Sequence, residues 1–302
     1  MTPVEVIRGD GPVVLGQPHG GTWLPPEVAA RLNATGRALA DTDWHIGRLY
    51  DGLLPGATVV RATFHRYVID ANRPPDGASL YPGQNTTGLV PLTDFDGRPI
   101  WDDPPDAGDV ARRREAFHAP YHAALAAELD RVRAPHGFAV LWDCHSIRSV
   151  IPFLFDGTLP DLNIGTNGGT SCAAEVEALV AAGCGIGGAS EGSARPEGWA
   201  QKRPPLGGGS GAARSAEADL ARPADPRPGL FTAVLNGRFK GGWTTRHYGR
   251  PAEGFHAVQM EIAQSAYLAA EAAPWTYDAA KADPLRATLS RILTDLAAWR
   301  PA

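Results

Sequence analysis

Side chains able to hold a metal or move a proton are gathered in short clusters along the 302 residues. Pro18-His19-Gly20-Gly21 follows the apolar run Val13-Val14-Leu15-Gly16. The glycines let backbone approach a ligand closely, and His19 can offer a ring nitrogen to a metal. Asp41-Thr42-Asp43-Trp44-His45 brings two carboxylates and an imidazole together just before a helical stretch through Ile46, Leu49 and Tyr50. Capping the free helix amides uses one aspartate, Asp41 or Asp43, and leaves the second carboxylate and the imidazole unexplained. In Asp70-Ala71-Asn72-Arg73-Pro74-Pro75 the prolines end regular structure and stiffen the chain. Arg73 then stands on a rigid platform, and a guanidinium grips a carboxylate with two parallel hydrogen bonds.

Asp143-Cys144-His145-Ser146-Ile147-Arg148 follows Phe138-Ala139-Val140-Leu141-Trp142, the clearest buried-strand pattern in the chain. His145 can ligate a metal, with Asp143 behind it as a hydrogen-bond partner. Asn236-Gly237-Arg238-Phe239-Lys240-Gly241-Gly242, followed by Thr244, Thr245, Arg246 and His247, is glycine-rich and cationic. It contains neither GxGxxG nor GxxxxGK[ST], so a loop gripping an anionic small molecule fits better than a phosphate cradle. Glu261 stands in the apolar run His256-Ala257-Val258-Gln259-Met260-Glu261-Ile262. Burial there raises a carboxyl's pKa toward the range useful to a general base or acid. Alternation along a strand puts Ala257, Gln259 and Glu261 on one face. Two histidines and a carboxylate make a catalytic zinc site with a position open to water, whose pKa falls to about 7. A free glutamate can take that water's proton and pass it to a leaving amine, while arginines hold an anionic substrate in line.

The elements that must position these groups alternate along the chain. Apolar runs at 11–16, 57–61, 67–70, 138–143 and 256–262 read as buried strands. Residues 112–133, 173–182 and 284–299 read as helices, the first carrying Phe117, Tyr121, Leu125 and Leu129 at four-residue spacing. Strands alternating with helices predict a three-layer α/β fold, a mostly parallel (mixed) sheet with helices on both faces. Ligands in such sheets bind beyond the carboxyl ends of strands, which is where the polar clusters fall. Residues 76–109 read as a long loop. Residues 185–230, with GGGSG, RPP and PADPRP, read as a flexible Gly/Ala/Pro/Arg-rich insertion in a single domain spanning 1–302.

A formal net charge of -5 argues against a nucleic-acid partner, and no apolar run approaches the roughly 20 residues of a membrane span. Cys144, Cys172 and Cys184 give neither a disulfide framework nor a CxxC zinc pattern, and the amino terminus lacks a secretory pattern. A cytoplasmic protein acting on a small anionic molecule is expected.

The stretches PHGGTWLPPEV, DTDWHIGRLYDGL, DANRPP, LYPG, TTGL, LWDCHSIRSVIPFLFDGTLPDLNIGT, LNGRFKGGWTTRHYG and HAVQMEIAQSAY resemble the N-formylglutamate amidohydrolase family. The resemblance implies hydrolysis of N-formyl-L-glutamate to L-glutamate and formate, the last step of one route of histidine degradation. The alternative is the same chemistry on another N-acyl acidic amino acid. In design the family is similar to zinc carboxypeptidases and aspartoacylases, a phosphorylase/hydrolase-like fold. These have an early His-Gly motif, a D-x-N-R motif, a D-x-H motif after a strand and a late glutamate.

Carried over, the resemblance implies His19 and His145 as metal ligands and Glu261 as the catalytic glutamate. It implies Asn72 and Arg73 as the pair that binds a substrate carboxylate or polarises the scissile carbonyl. The carboxypeptidase pattern has a glutamate ligand three residues after the first histidine, where this chain has Thr22. The carboxylate ligand is therefore assigned to Asp43, with His45 or Asp41 as alternates. Two substrate carboxylates call for further cations from among Arg66, Arg148, Arg238 and Arg246, with Arg246 and Arg148 foremost. The expected cofactor is Zn2+ or another divalent transition metal such as Co2+.

Overall fold

The computed structural model describes residues 2–79, 86–186 and 231–301. The insertion expected at 185–230 lies outside the described residues apart from Gly185 and Ile186, as do residues 80–83 of the LYPG stretch. Among the described residues a seven-stranded sheet forms the middle layer. From edge to edge it runs β1 (Val4–Ile7), β3 (Thr58–Ala62), β2 (Val13–Gln17), β4 (Ala139–Ile147), β7 (Phe255–Ala263), β5 (Leu162–Gly165) and β6 (Ala233–Leu235). β3, β2, β4 and β7 are parallel. β1 is antiparallel to β3, and β5 is antiparallel to β7 with β6 parallel to β5. The sheet is thus mixed, with its parallel part at the centre.

The helices are α1 (Pro26–Ala29), α2 (Ala34–Arg37), α3 (Ile46–Tyr50), α4 (Ala107–Arg113), α5 (Ala119–His136), α6 (Ala174–Gly183), α7 (Trp243–Tyr248) and α8 (Ala279–Ala298). α5 covers one face, packing Tyr121, Leu125 and Leu129 on Val14, Leu141 and Ala257. α3, α6 and α8 cover the other, where Leu285, Leu289 and Ile292 join Val140, Trp142, Val258 and Met260 in one core.

Strand alternation explains how this scaffold makes a site. On β4, Ala139 and Leu141 face the α5 side, so Asp143 and His145 continue that face toward the carboxyl end. On β7 the same face passes from Ala257 to Gln259 and Glu261. Register pairs Asp143 with Gln259 and His145 with Glu261. Two neighbouring strands therefore change from apolar to chemical residues at the same level. The opposite face is apolar apart from Ser146 and His256, and its largest residue, Trp142, is fully buried and donates its indole N–H to Tyr50 Oη at 3.0 Å. Trp142→Ala is expected to cost about 3–5 kcal/mol, measured as a lower urea midpoint at unchanged slope.

Three elements differ from the sequence expectation. Residues 67–70 are turn and irregular chain, not a strand. Tyr67, Val68 and Ile69 are fully buried, but Val68 N–H bonds to His65 O and Asp70 N–H to Leu89 O, so the apolar run reports burial without a ladder. The helix expected at 112–133 is α4, a π-helical turn (Arg114–His118) and α5 in succession. Pro120 has no N–H for the ordinary bond four residues back, which suits a widened turn just before it. α8 begins at the Asp278 cap, whose carboxylate accepts from Ala280 and Lys281 N–H, so Pro284 lies inside the helix and not at its start.

Candidate active site

His19 stands two residues past β2, and Asp43 stands just before α3. The Asp43 N–H donates to His19 O at 3.1 Å, which ties the two segments together. His145 comes from the carboxyl-terminal part of β4. Asp43 Oδ2 lies 3.4 Å from His145 Nδ1 and 3.9 Å from His19 Nδ1. It also accepts the Ser146 N–H at 3.0 Å. One potential ligand atom from each of His19, Asp43 and His145 lies within 4.8 Å of the others, and all three residues are buried. The structure thus brings together the three residues expected to bind metal. His45 instead hydrogen-bonds Trp275 O at 2.8 Å, and Asp41 accepts from Tyr67 Oη and the Phe95 N–H. Neither alternate joins the group.

The surroundings fit a cation. Asp70 Oδ1 lies 2.7 Å from His19 Nε2, so a carboxylate holds the proton on that nitrogen and leaves the Nδ1 lone pair facing Asp43. Burial works against the charge on Asp70, but Arg66, Arg73 and His19 outweigh it and hold the carboxyl well below the usual range. Asp143 Oδ2 lies 3.2 Å from His145 Nε2, the same arrangement on the second ring. Burial opposes charging of His145, yet Asp143 and Asp43 override it and raise its pKa well above the ordinary value. The ring attracts a proton because the carboxylates around it are short of positive charge. Two imidazoles and a carboxylate, with carboxylates behind both rings, are the donor set of a three-ligand catalytic metal site.

Glu261 shares a cavity of about 370 Å³ with His19, Asp43 and His145. Burial pushes its pKa up, with His145 opposing and Asp43 reinforcing. Arg66, Arg73 and Arg238 line the same cavity. Arg66 is buried, donates to Asp70 Oδ2 at 2.7 Å and lies over the Phe95 ring. Arg73 is committed to its own loop, donating to Thr87 O, Thr87 Oγ1 and Asn72 O. Asn72 also lines the cavity, but the oxygen of its amide is engaged, accepting the Thr244 N–H. Arg148 and Arg246, the foremost cations in the sequence reading, are outside the cavity lining. Arg148 pairs with Asp96 at 2.9 Å, and Arg246 Nε donates to Gly241 O. Residue type located the cationic loops, but not which way each side chain leaves its loop.

Sequence reasoning gave Asp70 no role beyond its motif and passed over Gln259. Asp70 stands directly after an apolar run and two residues before Asn72, a position that invites burial with a partner. Gln259 was visible as the alternate-face neighbour of Glu261.

The fold and site define a three-layer α/β protein with a candidate metal centre at the carboxyl ends of its central parallel strands. Residues 11–196 and 190–268 match the N-formylglutamate amidohydrolase family. The chain is 43% identical over 299 residues to N-formylglutamate deformylase of Pseudomonas aeruginosa, covering 97% of this chain and 95% of that one. It is 41% identical over 295 residues to the N-formylglutamate deformylase of Pseudomonas putida, covering 97% and 94%. A crystal structure of N-formylglutamate amidohydrolase from Ralstonia eutropha JMP134 shares the fold, with a TM-score of 0.72 and 23% identity over 98% of this chain and 97% of that one. The chain belongs to the N-formylglutamate amidohydrolase family.

Proposed function

We propose that this chain hydrolyses N-formyl-L-glutamate to L-glutamate and formate with a divalent transition metal, Zn2+ or Co2+, in the cytoplasm as a step of histidine degradation. The observation that carries this reading is the meeting of His19, Asp43 and His145 beside Glu261, in a cavity also lined by guanidinium groups. The identity with the two Pseudomonas deformylases supports the choice of substrate.

His19 Nδ1, an oxygen of Asp43 and His145 Nδ1 would hold the metal. Bound there, it would act as a Lewis acid on the formyl oxygen and make a water more acidic. Glu261 takes the proton from the attacking water and returns it to the amide nitrogen as the C–N bond breaks, so formate and a free amine leave. Arg66 keeps positive charge beside the reacting carbonyl, and Arg238 is assigned to a substrate carboxylate nearer the Phe239 wall.

The direct test is the purified, metal-loaded protein offered the formyl, acetyl and iminomethyl derivatives of Glu and Asp side by side. Stoichiometric formate and glutamate from the formyl derivative, with the others at least tenfold slower, is the expected result. Preference for the acetyl derivative would move the reading to another N-acyl acidic amino acid. Arg238→Ala is expected to raise KM about tenfold or more while changing kcat less, as loss of a charge-assisted contact to a bound carboxylate requires. Asp70→Asn is expected to weaken metal binding about 10–100-fold in a calorimetric titration of Zn2+ into the metal-free protein.

A further inference from the structure

Gln259 stands on β7 two residues before Glu261, on the same face, and is buried. Its side-chain amide has two partners in the cavity. One end lies 2.7 Å from the Gly242 N–H, and the other lies 3.1 Å from Glu261 Oε2. The orientation of the amide follows from chemistry. A backbone N–H only donates, so the atom facing Gly242 is Oε1, and the NH2 group must face the carboxylate.

The anchor is itself fixed. Gly242 immediately precedes α7, and two residues on the Thr244 N–H is held by Asn72 Oδ1 at 2.9 Å. A Cβ on Gly242 would fall 2.3 Å from Asn72 Nδ2, so any larger residue there would have to displace the Asn72 amide. The chain path that presents Arg238 and Phe239 to the cavity therefore ends on a rigid turn, and Gln259 links that turn to Glu261.

We propose that Gln259 is the positioning residue for Glu261, using one amide to lock the carboxylate's rotation and to tie it to the start of α7. This rests on Glu261 being the general base of the reaction proposed above. A carboxylate turning freely about its last bond spends part of its time with neither oxygen lone pair aimed at the water. A donor fixed at its other end to the Gly242 N–H removes that freedom. Misplacement of a reacting group by about an ångström can cost on the order of 100-fold in rate.

The test is a double-mutant cycle on the metal-loaded protein with N-formyl-L-glutamate. Gln259→Met keeps length and volume but cannot donate. It is expected to lower kcat about 10–100-fold with KM within about twofold and with metal content unchanged, while the melting temperature falls because the Gly242 N–H loses its acceptor. In an E261Q background the same change is expected to have no further effect, because Gln259 acts through the carboxylate. A wild-type kcat in Q259M, or an equal loss from Q259M on top of E261Q, overturns the positioning role while leaving Glu261 as base. A wild-type rate in E261Q alone overturns the base assignment, and this proposal with it.

Discussion

His19→Ala is expected to empty the metal site and lower formate release by about four orders of magnitude. Electrostatic stabilisation by a catalytic metal amounts to several kcal/mol, and about 5 kcal/mol corresponds to about 10⁴ in rate. His19 is the ligand to choose because its removal leaves the fold least disturbed. Asp70 loses one partner but keeps the Arg66 guanidinium at 2.7 Å and the Asn72 N–H at 2.9 Å. Removing His145 would instead leave Asp143 buried beside fewer partners. The checks are metal content by elemental analysis, formate release and the thermal melt, all on one preparation. Chelation of the wild-type protein should reproduce the loss, and adding back Zn2+ or Co2+ should reverse it. A H19A protein that keeps one metal per chain and its full rate would remove the metal centre from this part of the molecule.

Glu261→Gln has the second-largest expected effect, about 10²–10⁴ in kcat, with metal content retained. The amide preserves shape but cannot accept and return a proton. Stability should move the other way. Burial raises the folded-state pKa of Glu261, so its protonated form is the one the fold prefers. The corresponding stabilisation is complete below the ordinary carboxylate range and is lost as pH rises through the elevated folded value. Glutamine has no such loss. Metal-free E261Q should therefore melt at a higher temperature than the metal-free wild type at pH 9, and the gap should shrink as pH falls. Equal melts across that range would mean that Glu261 carries no strain.

Much of this site was legible because its residues combine a strong chemical type with a strong local pattern. His145 and Glu261 each stand toward the carboxyl end of a largely apolar strand, and strand periodicity fixes which neighbours share their face. The central strands were legible for the same reason: buried on both faces, they are continuous apolar runs. β1, β5 and β6 escaped because each is only three or four residues long, and β1 alternates between half-buried and exposed positions with no fully buried residue. The segment at 67–70 misled because burial and ladder pairing leave the same apolar trace. The arginines were the least legible group. A long flexible side chain on a loop can reach in any direction, and only the folded neighbours, Asp96 for Arg148 and Gly241 for Arg246, decide it.

The division of β4 and β7 into a chemical face and an apolar face has an engineering corollary. Cys144, Met260 and Trp142 point toward α8, away from His145 and Glu261. The α8 side thus contributes packing without contributing a group to the reaction centre. Libraries confined to the α8 side could raise the working temperature while the reaction centre keeps its shape.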